Sequence, residues 1–140
     1  MAYILIVDDD REFADPAALV LRHAGHEVSM ELTVDDGLAS MNLRLPDLLI
    51  LDVMFPENTS AGFELAREMR HDHAKLKNVP ILMLTAVNER FPLGLSDRDI
   101  DKEWLPVSSF LEKPVDLKRL IQEVETLLAK DGKSGNQTSR

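Results

Sequence analysis

Ile4-Leu5-Ile6-Val7-Asp8-Asp9-Asp10 is a short apolar run that stops abruptly in three acids. Working outward, the same design returns three more times. Leu48-Leu49-Ile50-Leu51 ends in Asp52, Ile81-Leu82-Met83-Leu84 ends in Thr85, and Phe110-Leu111-Glu112 ends in Lys113. The continuous apolar runs beginning at Tyr3, Leu48 and Ile81 fit strands covered on both faces. Amphipathic stretches lie between the runs. Val34–Leu43 and Gly62–Arg70 read as helices, with Asp35 and Asp36 in the first turn of the former, where the helix dipole favours acid. Val115–Lys130 reads as a third helix, its stripe made of Val115, Leu117, Leu120, Ile121, Val124, Leu127 and Leu128. Glu27–Leu32 alternates loosely and reads as an edge strand.

The helix after the first strand has two readings. Asp15-Pro16 offers an N-cap with Pro at the first helical position. A start near Arg11, with a distortion at Pro16, is the other. Either way Gly25 is a natural stop. His23 and His26 flank it, near the helix end where the dipole suits a cation.

Alternating strands and helices predict an α/β fold: a doubly wound, five-stranded parallel sheet with helices on both faces. Strand order 2-1-3-4-5 puts the first and third strands side by side at the topological switch point. Those are the strands that end in Asp. In such sheets the working site lies just beyond the carboxyl ends of the strands.

The chain has 140 residues, 44% of them hydrophobic, which suits one domain with one core. Residues 1–129 are read as that domain and 130–140, which carry no large apolar residue, as a disordered polar tail. Without cysteine there is neither a disulfide nor thiolate chemistry. No stretch approaches the roughly 20 apolar residues of a membrane span, and the opening run is too short for a signal peptide. A cytoplasmic protein with no membrane insertion is expected. The net charge of −9 argues against direct nucleic-acid binding, because the phosphate backbone repels it.

Asp8, Asp9 and Asp52 brought within a few ångströms repel one another unless a cation compensates. Lys113 supplies one charge. Carboxylates without His or Cys suit a hard divalent ion, Mg²⁺ or Mn²⁺, rather than zinc. A carboxylate can also act as a nucleophile and form an acyl phosphate. Phosphoryl transfer needs little else than position and charge neutralisation. The residue types alone thus suggest a Mg²⁺-dependent phosphoaspartate site.

Val7-Asp8-Asp9-Asp10, Leu51-Asp52-Val53-Met54 with Pro56, Leu84-Thr85-Ala86 and Lys113-Pro114 stand in an order that resembles the receiver domain of bacterial two-component response regulators, a flavodoxin-like fold. The resemblance runs from about Ala2 to Leu128. It implies that Asp52 is the phosphoacceptor, with Thr85 and Lys113 as its partners in catalysis. It further implies that Asp8, Asp9, Asp52 and the backbone carbonyl of Met54 bind Mg²⁺, and that Thr85 and Phe110 form a switch. The implied phosphodonor is a histidine kinase or a histidine phosphotransfer protein. The output is a face of the fourth helix, fifth strand and final helix that controls a downstream protein partner, or that pairs two copies as a homodimer. Such a chain is a signalling phosphoacceptor in a phosphorelay, not an enzyme acting on other substrates. The alternative is a phosphorylation-independent interaction module that keeps the receiver fold.

Two stretches depart from the family pattern. Glu57–Ala61 is about two residues longer than usual. Asn88–Leu105 enlarges the region after the fourth strand, so the output face is where the analogy transfers least. Met54 and Val87 occupy the two positions that tune phosphoryl lifetime in receivers. Both are apolar and neither can position water, which implies slow self-dephosphorylation.

Overall fold

The computed structural model describes residues 2–52, 61–71, 73–86 and 108–135. Five strands form one parallel sheet: β1 (Tyr3–Val7), β2 (Glu27–Glu31), β3 (Leu48–Asp52), β4 (Ile81–Ala86) and β5 (Ser109–Lys113), in the order β2-β1-β3-β4-β5. Four helices are described: α1 (Arg11–His23), α2 (Val34–Leu43), α3 (Ala61–His71) and α4 (Leu117–Gly135). The order is the one expected from the alternation of elements.

Period-2 alternation along each strand divides the interior into two cores. Leu5, Val7, Leu49, Leu51, Ile81 and Met83 face α2 and α3, where they meet Met41, Leu65, Ala66 and Met69. Ile4, Ile6, Leu48, Ile50, Leu82 and Leu84 face α1 and α4, where they meet Ala17, Leu21, Leu120, Val124 and Leu127. Every residue of β1 and β3 is buried, which explains why these strands show no polar alternation in sequence. Each buried Leu or Ile contributes about 1.5–3 kcal/mol by its removal from water.

The start of α1 is where the structure chooses between the two readings. Asp10, not Asp15, is the N-cap, and Pro16 lies inside the helix. The Asp10 side chain accepts from the Glu12 N–H, and its carbonyl accepts from Phe13 and Ala14. Pro16 forfeits one helical hydrogen bond. Yet Ala14, Ala17, Ala18 and Leu21 form one buried stripe at i, i+3, i+4 and i+7 that begins before the proline. Burying that whole stripe outweighs the single lost bond. Gly25 then takes φ +101°, and its N–H bonds to the Arg22 carbonyl, ending the helix as its position suggested.

The other end needs a correction. The disordered tail expected from 130 onward is helical at its beginning, because α4 continues to Gly135. Once nucleated on its docked stripe, a helix gains one hydrogen bond for each residue added. Val115, read as part of the helix, precedes it but packs on the same core. Residues 136–140, the enlarged Asn88–Leu105 segment and the longer Glu57–Ser60 loop lie outside the described residues.

Arg70 closes the bottom of the α3–β4 connection. Its Nη1 donates to the carbonyls of Lys77 (3.1 Å) and Val79 (2.9 Å). Burial pushes the guanidinium pKa down from its ordinary value, though Arg stays charged at any working pH. Arg70→Ala leaves both carbonyls without that donor and is expected to cost about 1–2 kcal/mol. Urea denaturation checks this, and a change within a few tenths would show that water replaces the side chain.

Candidate functional site

The site is assembled by strand register. Val7 of β1 lies opposite Leu51 of β3, so the residues that follow, Asp8 just past β1 and Asp52 at the end of β3, come at the same level. The Asp8 N–H still bonds to the Glu31 carbonyl (3.1 Å), which carries the β1–β2 ladder one residue beyond the strand. Asp8 is 1% exposed and Asp52 3%; they are the buried charged residues among those described. Asp9 stands closer to solvent. One oxygen from each of Asp8, Asp9 and Asp52 falls within 4.8 Å of the others.

Burial of two carboxylates beside a third is costly without compensation. The backbone supplies some: Asp8 Oδ1 accepts from the Asp10 N–H at 2.9 Å. That bond forms a tight Asx-type turn, which sends the chain from strand to helix and aims the Asp8 carboxylate inward. Asp10 itself is turned to capping α1. Of the three acids that close the opening run, two therefore join the site and the third builds the helix behind it. The sequence carried a signal for this: Asp favours the N-cap, and Glu12 follows in the first turn.

Three oxygen donors, no sulfur and no imidazole suit Mg²⁺ or Mn²⁺. The donor set fits the ion that the acidic pattern suggested. No grouping of three such ligands other than this one occurs among the described residues.

The remaining site residues are placed by their strands. Asp52 pairs in register with Leu84, so Thr85 lies one residue further along β4. Thr85 in turn is level with Glu112, and Lys113 closes β5 opposite Ala86. All four chemistry-bearing strand ends are thus at the carboxyl edge of one sheet. Phe110 is half-buried on β5, level with Met83, and packs against the core under α2 and α3. Met54 lies outside the described residues.

The Asp36-Gly37 pair also matches the receiver pattern, but the packing of its glycine was not read from the sequence. Gly37 of α2 is fully packed against Val7: a Cβ at this glycine would fall 2.6 Å from Val7 Cγ2. Val7 is the residue before Asp8. The glycine therefore sets how closely α2 approaches the strand that carries the site. A Gly in a helix interior was the available signal, since it is unfavourable there unless packing requires it.

The family model for the response regulator receiver domain matches residues 4–125. The chain is 31% identical over 129 residues to the phosphate regulon transcriptional regulatory protein PhoB of Pseudomonas aeruginosa, covering 92% of this chain and 52% of that one. It thus spans about half the length of that relative. Protein PilH of the same organism is 29% identical, with 92% of this chain and 99% of PilH covered. The crystal structure of a putative response regulator from Chloroflexus aurantiacus superposes with TM-score 0.76 at 34% identity, over 91% of this chain and 98% of that one. No helix among the described residues is long and apolar enough to cross a membrane. The sheet order, the acid cluster at the β1–β3 switch point and these likenesses agree: the chain belongs to the response regulator receiver domain family of two-component signalling systems.

Proposed function

We propose that the chain takes a phosphoryl group from a phosphohistidine donor onto Asp52, with Mg²⁺ held by Asp8, Asp9, Asp52 and the Met54 carbonyl. The observation that carries this reading is the meeting of three carboxylates, two of them buried, at the carboxyl ends of adjacent strands. An Asp52 carboxylate oxygen attacks phosphorus. The P–N bond to the donor imidazole breaks, and its electron pair returns to the ring nitrogen. The product is an acyl phosphate on Asp52. Mg²⁺, when bound, supplies positive charge against the phosphoryl oxygens and the acceptor. Lys113 pairs with a second phosphoryl oxygen, and Thr85 donates a hydrogen bond to a third. Their places one and two residues beyond the level of Asp52, at the same carboxyl edge of the sheet, support these roles.

The donor is a histidine kinase or a phosphotransfer protein, and the setting is cytoplasmic. The receiver acts as a signalling domain. Thr85 moving toward the phosphoryl group, with Phe110 turning further inward, shifts the population of an output face read by a protein partner. Phe110 is half-buried and packed against the core under α2 and α3.

Intact mass after incubation with Mg²⁺ and acetyl phosphate tests the reading. One phosphoryl adduct, lost to hydroxylamine and absent when EDTA removes the metal, is the expected result. No adduct, with Trp104 fluorescence also unmoved by Mg²⁺ and beryllium fluoride, would favour the phosphorylation-independent module. The apolar residues Met54 and Val87 add a kinetic expectation. The adduct should decay over many minutes once donor is removed, and a half-life of seconds would contradict it.

A further inference from the structure

Helix α4 is tied to the rest of the fold by two carboxylates that stand on different flanks. The Ser109 hydroxyl, at the first residue of β5, donates to Glu123 Oε2 at 2.8 Å. Two residues on, Glu125 Oε2 meets His26 Nε2 at 2.8 Å. Residues two apart on a helix point about 200° away from each other. The tethers therefore hold opposite sides, one from the edge strand β5 and one from the turn that enters β2. Between them Val124 is fully buried on the sheet.

The His26 ring does more than meet Glu125. Its Nδ1 accepts from the Ala2 N–H at 3.2 Å, and its side chain is only 7% exposed. With Nδ1 accepting, Nε2 carries the proton and donates to Glu125. One ring thus joins the entry of β1, the turn after α1 and the final helix.

The placement of these tethers along α4 matters. The helix begins four residues after Lys113, past the carboxyl end of β5. Glu123 and Glu125 are its seventh and ninth residues, about 9–12 Å from its start. The first turns, Leu117–Ile121, hold to the core through the fully buried Leu120 and the half-buried Leu117 and Ile121; the polar contacts given for them among the described residues, Asp116 accepting from the Lys118 N–H and Arg119 pairing with Glu123 at 3.9 Å, are local to the helix.

We propose that Ser109–Glu123 and His26–Glu125 form a pivot. They pin the far half of α4, so that a change at the site end of β5 is expressed in Leu117–Ile121 and stops there. Apolar contacts permit small sliding, whereas directional hydrogen bonds on two flanks resist both rotation and translation. The inference rests on the phosphoacceptor reading, because it needs a chemical change at Asp52 to transmit.

Amide chemical shifts and hydrogen exchange of the whole chain, with Mg²⁺ and with or without beryllium fluoride, test it. In the wild type, perturbed amides should span 115–121 and end before 123. In the double variant Ser109→Ala with Glu125→Ala, both mild changes, the perturbation should spread through 123–130 at least twofold above wild type. A long-range nitrogen spectrum should also show the His26 proton on Nε2. A wild-type perturbation that already runs the length of α4, or a boundary unmoved in the double variant, overturns the pivot alone. No perturbation at the Asp52 or Lys113 amides would fail the phosphoacceptor reading and take the pivot with it.

Discussion

Asp52→Asn is expected to abolish the phosphoryl adduct completely and, in metal-free buffer, to make the protein more stable than the wild type. The first part follows from chemistry, since an amide offers no carboxylate oxygen to attack phosphorus. The second follows from charge. Three carboxylates with oxygens within 4.8 Å of one another, two of them buried, repel in the folded state far more than in the unfolded chain. At an effective dielectric near 20, one such pair amounts to about 3 kcal/mol before relaxation. Removing one charge while keeping the shape should return about 1–2 kcal/mol of that. Mg²⁺ reverses the ranking. An ion at a hundred times its Kd adds about 2.7 kcal/mol to the wild type, and the variant, short of one ligand, gains much less. Thermal unfolding of both proteins with EDTA and with Mg²⁺ gives the four values needed. Equal responses to Mg²⁺ would show that Asp52 takes no part in holding the ion. A variant less stable than wild type in EDTA would show that its hydrogen bonds outweigh the repulsion.

Gly37→Ala should destabilise the protein by about 1–2 kcal/mol, although alanine is the better helix former by about 1 kcal/mol. The new methyl would meet Val7 Cγ2 at 2.6 Å and Cγ1 at 3.3 Å. Val7 is β-branched, fully buried and part of a central strand, so it has no soft rotamer to retreat into. The helix or the strand must shift instead. Because Asp8 follows Val7, the shift should reach the site and weaken Mg²⁺ binding as well. The Val7→Ala background provides the control. There the methyl has room, and the same Gly37→Ala change should become neutral or stabilising. An unchanged penalty in that background would place the cost in the helix backbone, not in contact with β1. Urea unfolding of the four proteins in this cycle decides between the two.

The elements themselves were legible because their signals are local. Continuous apolar runs marked β1, β3 and β4, and the bounds of Val34–Leu43 agree with α2 as it stands in the structure. The acids of the site were legible for a related reason. A charged residue that ends an apolar run has little choice but to lie at the carboxyl edge of a parallel sheet, and only the strand order is needed to bring Asp8 and Asp52 together. Where α1 begins was not legible. Asp15-Pro16 is a sound local start signal, and it lost to a buried stripe that begins at Ala14. The reach of α4 past Lys130 was also missed, because polar composition reports on packing and not on the extension of a helix already formed.

The sequence by itself determined the class of fold, the order of its strands and the chemistry of the strand ends, since each depends on periodicity and residue type. Only the tertiary structure decided how the parts bear on one another. It assigned Asp10 to capping while Asp8 turned inward, a division between identical residues two positions apart that two backbone N–H donors make, Asp10 to Asp8 and Glu12 to Asp10. It set Gly37 against Val7 and joined His26 to Ala2 and Glu125, contacts between residues 24 to 99 positions apart in the His26 case. Contacts of that kind depend on distances between elements after packing, and no local pattern in the chain encodes them.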